Sequence, residues 1–407
     1  MMRKLGKFVR NLFFIIIGIC LLLLAWNQID RIAAEKRGIF EEKPIEYPLR
    51  KSDLSLYTDG KALYKQLFDD IKQAKSYIHI YFFSIADDKI SHQFLDLLKE
   101  KSSQGVEVYY AVDRLGGILL KQKERKSLEQ EGVHFMYYNK PKFPYLFSSL
   151  NHRNHRRNTV IDGEIGYIGG FNIGKKYLGE KEKLGHWRDY QLRISGEGVQ
   201  DLEALFESDW KDNTGETISK AEVTNKQGTS AHQLIAYKGD GIVQSYEKMF
   251  QQAQTSITIL TPYFIPKDER VWKSLRDARK RGVQIKILWS PHSDALLVKQ
   301  AAYPYIRKAL SEGIEVYGYK KGVLHGKVFM IDEKVLMVGT VNFDARSFHS
   351  SDEMNCYIYD AEYIRKVQPY IQRDLQNAKR INSSYVSHLS LKEKAKEWLA
   401  KMIASYL

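Results

Sequence analysis

Two stretches of this chain carry residue types suited to phosphorus chemistry. The first is His155-Arg156-Arg157-Asn158-Thr159-Val160-Ile161-Asp162, and the second is His325-Gly326-Lys327-Val328-Phe329-Met330-Ile331-Asp332. Each reads His, one residue, a cation, four residues, Asp. Each is followed by a small pair and an Asn: Gly169-Gly170-Phe171-Asn172, then Gly339-Thr340-Val341-Asn342. Ten positions separate Asp from Asn both times, and 170 separate the two histidines. One such pattern is weak evidence; two in register are strong. A neutral imidazole beside a fixed cation suits attack on an anionic phosphorus centre. The Asn offers a short side-chain amide. Two copies supply one imidazole to attack and one to protonate the leaving oxygen.

The elements around each copy must hold this set in place. The four-residue spacers are apolar and β-branched and read as buried strands. Histidine and cation, two apart on such a strand, share a face. The small pairs let another backbone or a ligand approach closely. Around both copies runs the same order of helices and strands. In the first half a helix over 63–74 precedes a strand over 77–85, a helix starting at Phe94 and a strand over 105–113, and a third strand follows Gly132. In the second half a helix over 242–253 precedes a strand over 256–264, a helix over 271–281, a strand from Gly282 and one from Gly313. Strands alternating with helices predict an α/β fold with parallel or mixed sheets. Eleven additional residues stand between the third strand and the motif in the first half. They include Lys140-Pro141-Lys142-Phe143-Pro144-Tyr145-Leu146-Phe147, a basic aromatic loop that is either a packed surface loop or a membrane-dipping lip.

Outside this body, residues 12–26 are apolar throughout, preceded by Arg3, Lys4, Lys7 and Arg10 and closed by Trp26. Fifteen helical residues span about 22 Å against a hydrocarbon core of about 30 Å, with Phe8, Val9 and Asn11 available to extend them. With no convincing cleavage site after it, the run reads as an uncleaved single-pass membrane anchor. Basic residues flank it about equally, so its orientation stays open. The expected divisions are an anchor over 1–28, a linker over 29–52, a first half over 53–213, a linker over 214–235, a second half over 236–382, and a C-terminal amphipathic helix over 383–407. That last helix either docks on the body or lies in a membrane interface. A net charge of +14 favours polyanionic partners, nucleic acid or an anionic membrane. Two cysteines, Cys20 and Cys356, make a disulfide framework untenable. His152, His155 and His186 lack the cysteines or acidic cluster that a metal site needs, so no metal is expected. His79, His92, His134, His292 and His349 read as ordinary core or surface residues.

The two motifs resemble the paired HKD motifs of the phospholipase D superfamily. Asn151–His155, the Tyr167–Gly174 stretch, His186-Trp187-Arg188-Asp189, Thr261–Pro266 and Asn342–Phe348 extend the likeness to bacterial cardiolipin synthases over residues 55–360. The resemblance implies two α/β/α sandwich halves about a pseudo-twofold axis, with both motifs in one cleft. It implies phosphatidyl transfer from one phosphatidylglycerol to another through a phosphohistidine, yielding cardiolipin and glycerol at the cell membrane without metal or other cofactor. By analogy with the family His155 attacks and His325 acts as acid and base, although the pseudo-symmetry permits the reverse. Arg157 and Lys327 bind the phosphate with Asn172 and Asn342. Asp189 is expected to orient the histidine of the first half and Glu353 that of the second. Asp162 and Asp332 complete the motifs, more as structural supports than as proton carriers. Arg157 stands where the family has Lys; it keeps the charge but not the ammonium geometry. The rival readings are hydrolysis with water as acceptor, a phosphodiester nuclease, and a non-catalytic membrane scaffold. The apolar N-terminus and aromatic loop favour lipid over nucleic acid, and two intact histidines argue against a scaffold.

Overall fold

A computed structural model describes residues 2–37, 42–180, 183–218, 223, 226–238, 241–293 and 295–403. Its centre is built twice from the same local rules. Tyr77–Phe82 pairs in parallel with Glu107–Asp113, which pairs in parallel with His134–Tyr138. On its other side Tyr77–Phe82 pairs antiparallel with Asn158–Ile161, and that strand hairpins onto Ile165–Gly169. The second half repeats this with Ser256–Thr261, Gln284–Trp289 and Glu315–Tyr319 in parallel, and Val328–Ile331 and Val335–Gly339 antiparallel. The spacer of each motif is thus a strand, and all four residues of each are buried. The turn glycines repeat for a steric reason. Gly105, Gly132, Gly282 and Gly313 stand at φ of 88°, 86°, 93° and 74°, a region that side-chain-bearing residues avoid.

The halves join at their inner edges. Gln191–Gly196 extends the first half and pairs with Arg50–Tyr57; Ser351–Ile358 extends the second and pairs with Ser230–Lys238. Arg50–Tyr57 and Ser230–Lys238 then pair with each other, so one sheet of 17 described strands runs through both halves. Each half has its own apolar core, one around Phe94, Tyr110 and Phe171 and the other around Phe250, Trp272 and Phe329. A third core lies between them, where Leu202 and Leu205 of helix Val199–Thr214 and Ile364 and Val367 of helix Ala361–Gln376 cover the inner strands. Burying each such side chain is worth roughly 1.5–3 kcal/mol relative to water.

The N-terminal region differs from expectation. Among the described residues no helix is long and apolar enough to cross a membrane, so the expected transmembrane span is not found. Instead one helix runs Met2–Lys36, past the apolar run and into charged residues. Its last third is engaged with protein: Asp30 and Ala34 are buried, while Phe13, Phe14, Leu22 and Ile29 are exposed. The segment read as a linker over 29–52 holds the end of that helix and the strands Glu42–Glu46 and Arg50–Tyr57, the first paired with Ser230–Lys238. Eleven-residue spacing in the first half is explained by a helix, Leu146–Asn151, which the N-terminal helix touches. The C-terminal helix Leu391–Ile403 docks on Val298–Ser311. Glu393 accepts from Gln300 at 3.0 Å and Tyr303 at 3.1 Å, yet Leu391, Trp398 and Met402 stay exposed.

Candidate active site

The two motifs meet because their lead-in strands cross between the halves. Arg153–Asn154, just before His155, pairs in parallel with Ser351–Asp352 of the second half. Gly322–Leu324, just before His325, pairs in parallel with His186–Arg188 of the first. The His155 N–H donates to the Asp352 carbonyl at 2.8 Å, and the His325 N–H to the Arg188 carbonyl at 2.6 Å. The next residue along each partner strand is the acid. Glu353 Oε1 therefore lies 2.8 Å from His155 Nδ1, and Asp189 Oδ2 lies 2.5 Å from His325 Nδ1.

This corrects the expected pairing. Asp189 serves the histidine of the second half and Glu353 that of the first, because the strand carrying each acid runs alongside the opposite motif. Both acids are wholly buried. Each is seated by its own half's small pair. The Thr340 hydroxyl donates to Glu353 Oε2 at 2.6 Å. Gly170 occupies the matching place against Asp189, where a Cβ would stand 2.1 Å from Oδ1, so no side chain fits. The Tyr190 N–H donates to Asp189 Oδ1 at 2.8 Å.

Arg157 sits on the ring side away from its acid, whereas Lys327 lies against both ring nitrogens of its histidine. Arg157 Nη2 lies 2.9 Å from His155 Nε2, and Arg157 also donates to the His155 carbonyl. As a guanidinium N–H can only donate, Nε2 is the acceptor and Nδ1 carries the proton shared with Glu353. Lys327 Nζ lies 2.7 and 3.0 Å from the His325 ring nitrogens and donates to the His325 carbonyl at 2.5 Å. Histidine and cation stand just ahead of each strand rather than on it, but the spacing of two still brings them together. Asn172 Oδ1 accepts from the Ser84 N–H at 3.0 Å, which leaves the NH2 end of its amide for a ligand. Asn342 is buried, and its Oδ1 has no partner among the described residues. Phe83 packs edge-on against His155 at 4.9 Å and Trp187 lies 5.0 Å from His325.

Burial, then the charges of Arg157, Lys327, His325 and Arg346, hold the His155 imidazole well below its usual range, in the neutral form. Burial pushes the Glu353 carboxyl upward, opposed by the Thr340 hydroxyl and Arg157. Burial also works to raise Asp189, but Lys327 and His325 outweigh it, and the carboxyl lies below the ordinary value.

Asp162 and Asp332 stand at the far ends of their strands. Asp162 accepts the N–H groups of Lys75, Ser76 and Tyr77 at 2.7–2.9 Å; Asp332 accepts those of Gln254, Thr255 and Ser256 at 2.7–2.8 Å. They tie each motif strand to the turn entering the central strand. Three groups escaped the sequence reading. Thr340 reads as a small residue, and its hydroxyl contact is not signalled. His152 pairs with Asp352 at 2.8 Å; burial acts to raise that carboxyl, but His152 and Arg156 hold it at about 2. Arg153 and Arg156 are buried on Asp113 and Asp209 at 3.2 and 2.6 Å and support the lead-in strand. Among the described residues no group of three or more His, Cys, Asp and Glu is placed to hold a metal ion.

Two imidazoles, each tied at Nδ1 to a buried carboxylate and flanked by a cation, on a duplicated α/β frame, define a phospholipase D-type cleft. Residues 67–210 and 246–375 match the family described as Cardiolipin synthase, PLD-like domain, and the chain belongs to that family. It is similar to Minor cardiolipin synthase ClsB of Bacillus subtilis, 38% identical over 91% of this chain and 94% of that protein. It is also similar to Cardiolipin synthase 2 of Staphylococcus epidermidis, 35% identical over 88% of this chain and 75% of that protein. The fold matches phosphatidylserine synthase of Haemophilus influenzae with a TM-score of 0.66 at 14% identity, covering 92% of this chain and 99% of that one.

Proposed function

We propose that this cleft transfers a phosphatidyl group from one phosphatidylglycerol to a second, releasing glycerol and forming cardiolipin. The family supports a phosphatidyltransferase of the phospholipase D superfamily, and the names of the relatives support cardiolipin as product. One observation carries the chemistry: a neutral His155 whose Nδ1 proton goes to Glu353 and whose Nε2 lone pair faces the cation Arg157.

His155 Nε2 attacks the donor phosphorus, and Arg157, Lys327 and the two Asn amides take the phosphate oxygens. The bond from phosphorus to the glycerol oxygen breaks as that oxygen takes a proton from His325. A hydroxyl of the second lipid then gives its proton to His325 and attacks phosphorus, and the phosphorus–nitrogen bond breaks. Asp189 and Glu353 fix the ring orientations and stabilise the imidazolium forms. No cofactor enters these steps, and nucleic acid is not a partner in them. The N-terminal helix, with exposed Phe13, Phe14 and Leu22, and the neighbouring lip, with Phe143 74% exposed, hold the cleft at the membrane that contains its anionic substrate.

The test is a product assay on purified protein with phosphatidylglycerol in detergent micelles and excess chelator. Cardiolipin plus glycerol is expected, with His155→Ala and His325→Ala each lowering the rate by about 10²–10⁴-fold or more. Near-normal turnover in either variant overturns the two-histidine mechanism. Phosphatidic acid without cardiolipin would make water the acceptor.

A further inference from the structure

Arg346 is a cation of the cleft that the transfer steps leave unused. It lies in the first turn of helix Ala345–His349. Asp344 caps that turn by accepting the Ser347 N–H at 2.7 Å, and Ser347 Oγ accepts the Asn342 N–H at 3.2 Å. The far end of the helix is tied to the approach to the first motif. The Arg153 N–H donates to the Ser350 carbonyl at 3.1 Å, and Asn151 Nδ2 donates to Ser350 Oγ at 3.2 Å. The guanidinium lies within electrostatic reach of Asp344, Arg153, Asp113 and Glu353. Three buried arginines are matched to acids, Arg153 to Asp113, Arg156 to Asp209 and Arg188 to Asp374, and Arg157 is held on His155. Among the described residues no hydrogen bond or ion pair holds the Arg346 guanidinium.

An apolar surface lies on the other side of Asp113, one of the acids in its electrostatic reach. Asp113, its neighbour, accepts the N–H groups of Leu115 and Gly116 at 2.8 and 3.1 Å and so shapes the loop after strand Glu107–Asp113. That loop is pressed onto Phe83 beside His155, since a Cβ on Gly116 would stand 1.9 Å from the Phe83 carbonyl. Its outer side exposes Leu115, Ile118 and Leu119 by 38%, 67% and 57%. A cation held by no ion pair, together with exposed Leu115, Ile118 and Leu119 on a loop seated against Phe83 beside His155, fits the phosphate and acyl chains of a phospholipid. The register is repeated: Lys176 follows Asn172 by four positions, as Arg346 follows Asn342.

We propose that Arg346 binds the phosphodiester of the acceptor lipid, one glycerol bridge from the phosphate in transfer, with acyl chains lying over Leu115, Ile118 and Leu119. The inference rests on the phosphatidylglycerol-to-phosphatidylglycerol reading above. It makes Arg346 the residue that favours a phosphate-bearing alcohol over a bare one. A bidentate guanidinium suits a phosphodiester better than an ammonium does.

The experiment compares two acceptors on one preparation. Phosphatidylglycerol in micelles yields cardiolipin, while added labelled glycerol exchanges into phosphatidylglycerol through the same phosphatidyl-enzyme with no phosphate on the acceptor. In Arg346→Gln the ratio of cardiolipin formed to glycerol exchanged is expected to fall at least about tenfold, the loss of one charged hydrogen-bonded contact. Arg346→Lys is expected to fall between Gln and wild type. Glycerol exchange also reports that the variant is folded. An unchanged ratio, or equal loss of both reactions, overturns the proposal. If wild-type protein performs neither reaction, the transferase reading fails and takes this inference with it.

Discussion

At the scale of single residues, the cleft treats its two histidines differently. His155 is bound to a Glu that also accepts a Thr340 hydroxyl, and its cation is Arg157; His325 is bound to an Asp packed on bare Gly170, and its cation is Lys327. The His155 side is prepared to stay neutral, because burial and the surrounding cations penalise its imidazolium. The sign follows directly. Attack needs the unprotonated Nε2, and protonation occurs below the usual 6.5, so kcat/KM for glycerol exchange should fall only as pH drops beneath that value. A pH–rate profile with an acid limb at or above 6.5, and unmoved in Arg157→Gln, contradicts this assignment. Arg157 in place of Lys is compatible with the geometry, since its Nη2 reaches Nε2 at 2.9 Å.

At the scale of elements, the insert in the first half is held by a distant part of the chain. Helix Leu146–Asn151 begins at Tyr145, which gives it no side-chain cap. Asp30 of the N-terminal helix does so instead, accepting from the Phe147 N–H and the Ser148 hydroxyl at 2.7 Å each. Trp26 packs edge-on against Phe147 at 5.1 Å, and Arg37 donates to the Tyr145 hydroxyl at 2.7 Å. A cap of this kind is worth about 1 kcal/mol. Asp30→Ala should therefore raise the exchange rates of the Phe147 and Ser148 amides about fivefold in hydrogen-exchange measurements. Unchanged rates would show that the two helices are not coupled. The sequence marks the insert by its spacing and aromatic composition, and it marks the apolar helix. It does not signal that Asp30 joins them, because 117 residues separate Asp30 from Phe147.

At the scale of the whole molecule, neither half is complete. His155 and Glu353 come from opposite halves, as do His325 and Asp189, and the inner strands join both into one sheet. The crossing has a spectroscopic consequence in the intact protein. The low-field Nδ1 proton of His155 should shift or vanish in Glu353→Gln and persist in Asp189→Asn, with the reverse for His325. Each substitution should also slow transfer by about 10²–10⁴-fold, the range for losing a carboxylate that orients a catalytic imidazole. Pairing within halves would reverse the spectral pattern.

From the sequence alone come the duplicated motif with its eight candidate residues, the α/β order of elements and the turn glycines. All of these are written in local periodicity, in residue type and in a repeat whose two copies check each other. Tertiary structure decided which acid serves which histidine, that Thr340 and Gly170 are the two seats for those acids, and that the apolar N-terminal helix ends as a support for the insert. These depend on which strands cross at the junction of the halves. Strand order there is set by the packing of two cores and the core between them, and no local pattern of residues carries that information.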